Sequence, residues 1–103
     1  MYTFATDDPT PTWTNVISSV ALGNIEGALS YFSMATVDKY RQAFLSVGTA
    51  NTIAAMNDIG ALIPVYIGGS RAEYYFNSII DGQTITFPVD FIKENGQWKI
   101  LEF

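Results

Sequence analysis

The 103-residue chain contains no histidine and no cysteine, which narrows the chemistry open to it. That removes His-based triads, thiolate nucleophiles, disulfides and the usual zinc or copper ligand sets. Acid–base work would fall to carboxylates such as Asp38, Asp90 and Glu102, and ligand orientation to phenols such as Tyr74 and Tyr40. Strand phasing predicts Glu102 opposite Val89, on an otherwise apolar face. Desolvation there would raise its pKa, which is how a general acid or base is tuned. The plainer expectation is an edge carboxylate that pairs with Lys39 or Arg41 or stays solvated. Tyr74 falls on the same apolar face, where its hydroxyl needs a partner. It could orient a ligand, though a bond to a main-chain carbonyl or water is the commoner fate of such a group.

A second constellation falls on the opposite face. The phasing sets Glu73 across from Asp90, with Arg71, Tyr75, Asn77, Thr84, Thr86 and Lys99 nearby. Facing carboxylates repel unless a cation intervenes. Arg71 or Lys99 could supply it; a metal ion is a poorer fit, because two carboxylates fall short of a calcium cage. The same argument weighs against a calcium site at Asp7-Asp8. Tyr66, Tyr75, Ile79, Ile92, Leu62, Leu101 and Phe103 are expected to project that way too. That is more apolar surface than a solvated face needs, and it points to a partner. The expected interface residues are therefore Tyr66, Glu73, Tyr75, Asp90, Leu101 and Phe103.

Ten acidic and five basic residues leave a net charge of −5. The cations Lys39, Arg41, Arg71, Lys93 and Lys99 are scattered, so neither nucleic acid nor an anionic membrane finds a positive footprint. No apolar run approaches the ~20 residues of a membrane span, and no secretory leader is recognisable at Met1. No cofactor motif is present. Hydrophobic residues make up 49% of the chain and aromatics 15%, which argues against disorder and for one folded domain.

Periodicity supplies the scaffold on which these groups sit. Residues 1–11, with two prolines and two adjacent aspartates, read as a linker. Thr10 before Pro11 reads as an N-cap, and Trp13, Val16, Ile17, Val20 and Ala21 form one helical stripe. Gly23 stops that helix and Asn24 caps the next, with Ile25, Ala28, Leu29 and Phe32 inward. Thr36 caps a third carrying Val37, Tyr40, Phe44 and Val47 up to Gly48. A weaker fourth helix spans about 51–59, with Ile53, Met56 and Ile59 inward, and Gly60 ends it. The period then changes to two. Gly68-Gly69, Asp81-Gly82 and Asn95-Gly96 divide the rest into strands near 61–67, 70–80, 83–94 and 97–103. Pairing Ile67 with Ser70, Ile80 with Gln83 and Glu94 with Gln97 gathers Ile63, Val65, Tyr74, Phe76, Ile85, Phe87, Val89, Phe91, Trp98 and Ile100 on one face. Pro64 is tolerated because its strand lies at an edge. The expected fold is α+β, with N-terminal helices on one face of a four-stranded antiparallel meander spanning residues 12–103.

This order, with Gly23-Asn24-Ile25-Glu26-Gly27-Ala28 near the start and Asn95-Gly96-Gln97-Trp98-Lys99-Ile100 near the end, resembles the NTF2-like (cystatin-like α+β) superfamily. It looks most like that superfamily's small bacterial domains attached to exported or cell-envelope proteins. The resemblance implies a cone of helices and curved sheet that holds a pocket in some members. Enzymatic members use an Asp base there, helped by Tyr, His or a second Asp. No matching catalytic motif stands in this sequence, so no active-site residue is carried over. The leading expectation is a non-catalytic association module of a larger exported bacterial protein, dimerising or docking on a neighbouring domain. The alternatives are a small apolar-ligand binder using Tyr74, Glu102 and Tyr40 in the cone, and an isomerase- or dehydratase-type enzyme.

Overall fold

The computed structural model describes residues 9–57, 59 and 61–103. The expected linker up to Asp8, the Asp7-Asp8 pair and the Gly60 stop lie outside the described residues. The first helix, α1, spans Thr10–Ala21, so the last two linker positions are already helical. Pro9, not Thr10, is its N-cap, without a side-chain capping bond. Trp13, Val16 and Val20 are its buried stripe. The chain reverses at Gly23, whose φ of 75° suits a residue without a Cβ. Asn24 then caps α2 (Ile25–Leu29) by accepting from the Gly27 N–H at 3.0 Å. A Cβ on Gly27 would lie 2.3 Å from the Asn24 amide nitrogen, so the glycine makes room for the cap.

Thr36 does hold the N-cap position of α3 (Val37–Val47), but its hydroxyl is buried without a partner among the described residues. Ser33 organises the turn instead. Its main-chain oxygen accepts from Thr36 and Val37 at 3.0 and 2.8 Å, and its hydroxyl accepts from the Ala35 N–H at 3.1 Å. The helix α4, Thr49–Asn57, starts two residues before the expected Asn51 and buries Thr52 and Met56.

The strands β1 (Ile63–Ile67), β2 (Arg71–Ile80), β3 (Gln83–Glu94) and β4 (Gln97–Glu102) form one antiparallel sheet in the order β1-β2-β3-β4. The fold is the expected α+β arrangement of helices and then a meander. The second and third hairpin turns take two left-handed residues each, Asp81-Gly82 at φ 52° and 78° and Asn95-Gly96 at 52° and 77°. They fix the expected pairs Ile80 with Gln83, Phe76 with Phe87, Tyr74 with Val89, and Phe91 with Ile100. The helices cover the face of Ala72, Tyr74, Phe76, Val89, Phe91, Trp98 and Ile100. Trp13 packs on that layer, with ring centroids 6.0 Å from Phe76 and 6.4 Å from Phe91. Full burial of a side chain such as Phe91 or Ile100 is worth about 1.5–3 kcal/mol.

Two irregularities change the expected phasing. The first hairpin turns at Gly69-Ser70, because the Gly68 N–H donates to the Arg71 carbonyl at 2.8 Å and Ile67 pairs with Ala72 rather than Ser70. A β-bulge between Pro64 and Tyr66 then sets Ile63 opposite Tyr75 and leaves Val65 unpaired. Ile63 and Val65 therefore do not join the covered apolar face, and all five β1 residues are exposed. The diglycine has no side chain to fix which pair of residues turns, and one inserted residue inverts the side-chain parity. The second bulge inserts Leu101 into β4, since Phe91 pairs with Ile100 but Asp90 pairs with Glu102.

The two sheet edges are closed differently. On β4 the outward main chain is bonded: Ile100 N–H to the Tyr31 carbonyl at 2.9 Å, Ile100 carbonyl from the Ser33 N–H at 2.7 Å, and Trp98 carbonyl from the Thr12 hydroxyl at 2.9 Å. On β1 the ladder alternation turns the main chain of Pro64 and Ile67 outward, and Pro64 has no N–H.

Candidate functional site

The three expected pocket residues are not brought together. Tyr74 is buried in the core, edge-on to Phe91 with ring centroids 5.6 Å apart. Tyr40 projects from α3 into the C-terminal end of the sheet. Its hydroxyl accepts from the Phe103 N–H at 2.9 Å and donates to the Phe103 main-chain oxygen at 3.2 Å, and its ring stacks on Phe103 at 5.1 Å. Glu102 is not opposite Val89. The inserted Leu101 moves it opposite Asp90, exposed and paired with Lys39 at 3.0 Å. The same insertion turns Phe103 inward, 5.8 Å from Trp13 and 6.0 Å from Phe32, so its expected place on the outer face is corrected. Leu62, also expected outside, packs against the core. Leu101 itself is the half-buried inserted residue.

Four surface grooves have volumes of about 300 to 460 Å3, and none of the four is lined by Tyr40, Tyr74 or Glu102. An apolar one, about 420 Å3, lies between α4 and the β2–β3 hairpin against Met56, Ile59, Phe76, Phe87 and Phe103. A polar one of about 430 Å3 runs beside Glu26, Arg41, Glu94 and Lys99. Its charges are engaged. Arg41 binds Glu26 through two nitrogens at 3.2 and 3.1 Å and Asp38 at 2.8 Å. Glu94 accepts from the Ser33 hydroxyl and the Met34 N–H, and Lys99 donates to the Ser30 carbonyl at 2.7 Å. The Glu26 carboxyl is held below its ordinary pKa first by the hydrogen bond from Arg41, which outweighs desolvation, with the guanidinium charge adding a lesser downward effect. The Lys39 ammonium is held above its own, first by the bond to Glu102.

The face of the sheet that carries no helix among the described residues, the helix-free face, is the remaining candidate. Glu73 and Asp90 are direct cross-strand partners, as expected, and Glu102 extends their row onto β4. Two residues along, Arg71, Ile92 and Lys99 form the next row. Carboxylates thus stand beside cations in adjacent rows about 6.6 Å apart. Among the described residues Arg71, Glu73 and Asp90 form no ion pair, and no group of three acidic side chains is placed to hold a metal. Tyr66, Tyr75, Ile79 and Ile63 supply the apolar part, with Ile79 75% and Tyr66 57% exposed. Tyr66 lies over Gly68, where a Cβ would approach its hydroxyl to 2.5 Å. Sequence reasoning found Glu73, Asp90, Tyr66 and Tyr75 here but underrated Arg71. The alternation of β2 carried that signal, since Arg71 and Glu73 are two residues apart on one strand.

No helix among the described residues is long and apolar enough to cross a membrane. No protein-family model matches the chain, and a search of curated proteins finds no similar sequence.

Proposed function

We propose that this chain is a non-catalytic association module, an NTF2-like domain of a larger exported bacterial protein that self-associates or docks on a neighbouring domain. The docking surface is the helix-free face of the sheet. One observation carries the reading: that face holds exposed Tyr66, Ile63 and Ile79 and half-buried Tyr75 and Ile92 around Arg71, Glu73 and Asp90, which form no ion pair among the described residues. A solvated face has no need of such apolar area, and an interface does. The superfamily assignment and the exported location rest on the Gly23–Ala28 and Asn95–Ile100 motifs and on the helices-then-meander order. Hydroxyl-radical footprinting is the test. Oxidation of Tyr66 and Tyr75 is expected to fall when the chain is concentrated or carried within the larger protein. Equal oxidation of both tyrosines under dilute, concentrated and full-length conditions would defeat the proposal.

A second reading, a small apolar-ligand binder, is favoured by the groove of about 420 Å3 beside Phe76, Phe87 and Phe103. Its volume lies within the range of ligand sites, and its walls are mostly apolar. Blue-shifted emission of an apolar dye, abolished by Phe87→Asp but not by Tyr66→Ser, would favour this reading over the first.

A further inference from the structure

We propose that the helix-free face receives an arginine side chain from the surface of a neighbouring domain, seated on Glu73 and Asp90 and flanked by Tyr66 and Tyr75. The proposal rests on the face-docking reading above and adds the chemistry that the partner presents.

Two neighbouring rows of the sheet build the patch. One runs Ile63–Tyr75–Pro88 across β1, β2 and β3, and the next runs Tyr66–Glu73–Asp90–Glu102 across all four strands. Glu102 is already paired with Lys39. The side chains of Glu73 and Asp90 form no ion pair among the described residues. As direct cross-strand partners their Cβ atoms are about 4.5–5.5 Å apart, a placement of like charges that is unfavourable without a cation. Arg71 stands about 6.6 Å along β2, on the side away from Tyr75, and one positive charge does not offset two. On the other side come Tyr75, Pro88, Asn77 and Thr86, none of them charged. The pair is therefore open to a cation from that side.

A guanidinium suits these surroundings better than an ammonium or a metal ion. Its planar fork bonds a carboxylate along each of two edges, and its flat face stacks on a phenol. Tyr66 is placed for stacking: its ring lies over Gly68, which has no side chain to displace it, and the residue is still largely exposed. No third acidic group among the described residues completes a metal site. Arginine set among tyrosines is also the composition of the energetic centres of protein interfaces.

The arginine comes from a different surface than this chain's own. Of its two arginines, Arg41 is held by Glu26 and Asp38. Arg71 lies at one end of the face, so a second copy docked through it would leave Tyr75 and Ile79 uncovered. A net charge of −5 further favours a basic partner over another copy.

NMR titration of the isotope-labelled chain with end-blocked tetra-arginine and tetra-lysine peptides tests the site. Tetra-arginine is expected to shift the amides of Tyr66, Glu73, Tyr75 and Asp90 most, and to bind at least about threefold tighter than tetra-lysine of equal charge. E73Q/D90N is expected to bind it at least about tenfold more weakly. D38N/D81N changes the net charge equally, keeps a turn residue that tolerates positive φ, and should lose less than about threefold. Raising salt from about 0.01 M to about 1 M shortens the screening length from ~30 Å to ~3 Å and should remove most of the binding. Circular dichroism checks that each variant is folded. No saturable shift, shifts spread evenly over the acidic residues, equal affinity for the two peptides, or double variants weakened alike would each overturn the proposal. A dimer of the wild type with Tyr66 and Tyr75 protected would overturn it too, by making a second copy the occupant. Protection of both tyrosines in the larger protein, without tetra-arginine binding, would refute the arginine while leaving face docking intact.

Discussion

Replacing Tyr40 with phenylalanine removes one oxygen and leaves the ring stacked on Phe103. That oxygen bonds both the N–H and the main-chain oxygen of Phe103, at 2.9 and 3.2 Å. A hydrogen bond of this kind contributes about 0.5–1.5 kcal/mol net, and the half-buried site lets water recover part of the loss. The expected destabilisation is therefore about 1–2 kcal/mol. For a domain of this size, Tm would fall by roughly 4–8 °C for each kcal/mol. Urea denaturation monitored through the buried Trp13 and Trp98 is a suitable assay, because both indoles should shift on exposure. The midpoint should drop while the slope stays constant. Tyr74→Phe is the control: it also removes a phenol from the core, but one with no such clamp. A Tyr40→Phe loss below about 0.3 kcal/mol, or one no larger than that of Tyr74→Phe, would refute the claim that the hydroxyl fastens the end of β4.

Phe91→Ala empties the centre of the covered face and should cost about 3–5 kcal/mol, read as a large fall in the urea midpoint. Gly96→Val places a β-branched residue at φ 77° and should cost more than about 1 kcal/mol, whereas Gly69→Ala, with open space around its Cβ position, should be near neutral by the same measurement. The depressed Glu26 pKa implies stabilisation that is complete above the ordinary carboxylate value of about 4.3 and lost as pH falls through the lower folded value. Glu26→Gln should therefore flatten the acid limb of a stability–pH curve, by a small amount because the pair is exposed. The raised Lys39 pKa works at the other end: its contribution is complete below about 10.4 and lost as pH rises through the folded value, so Lys39→Met should flatten the alkaline limb.

The parts of the fold that are readable from sequence are those in which several residues agree. Asp81-Gly82 and Asn95-Gly96 each demand a two-residue reversal with positive φ, and alternating Tyr74, Phe76, Phe87, Val89 and Phe91 repeat the same phase. The helical stripes of α1 and α3 are readable for the same reason. The unreadable parts turn on single inserted residues. Val65 and Leu101 look like ordinary strand residues, yet each is the extra residue of a bulge and inverts the facing of the strand segment beyond it. Glu102 and Phe103 exchange their expected surroundings on that account alone. At the candidate face, Glu73, Tyr75 and Asp90 sit on β2 and β3, which keep one register from end to end, so they fall where alternation puts them. Thr36 shows a third kind of miss. Its position as a cap is readable, but the bonding of that turn by Ser33 and Glu94 depends on a residue about sixty positions away.

The unlike treatment of the two margins of the sheet bears on whether strands can be added at its sides. One margin is already stitched to the helical layer, and the other offers Pro64 and a kinked ribbon where an incoming strand would need a run of donors. Among the described residues, neither margin offers the long run of open donors on which copy could add to copy as in a fibril. Hydrophobic residues make up 49% of the chain, and a stitched margin on one side with a kinked one on the other leaves that content without a straight strand edge to extend.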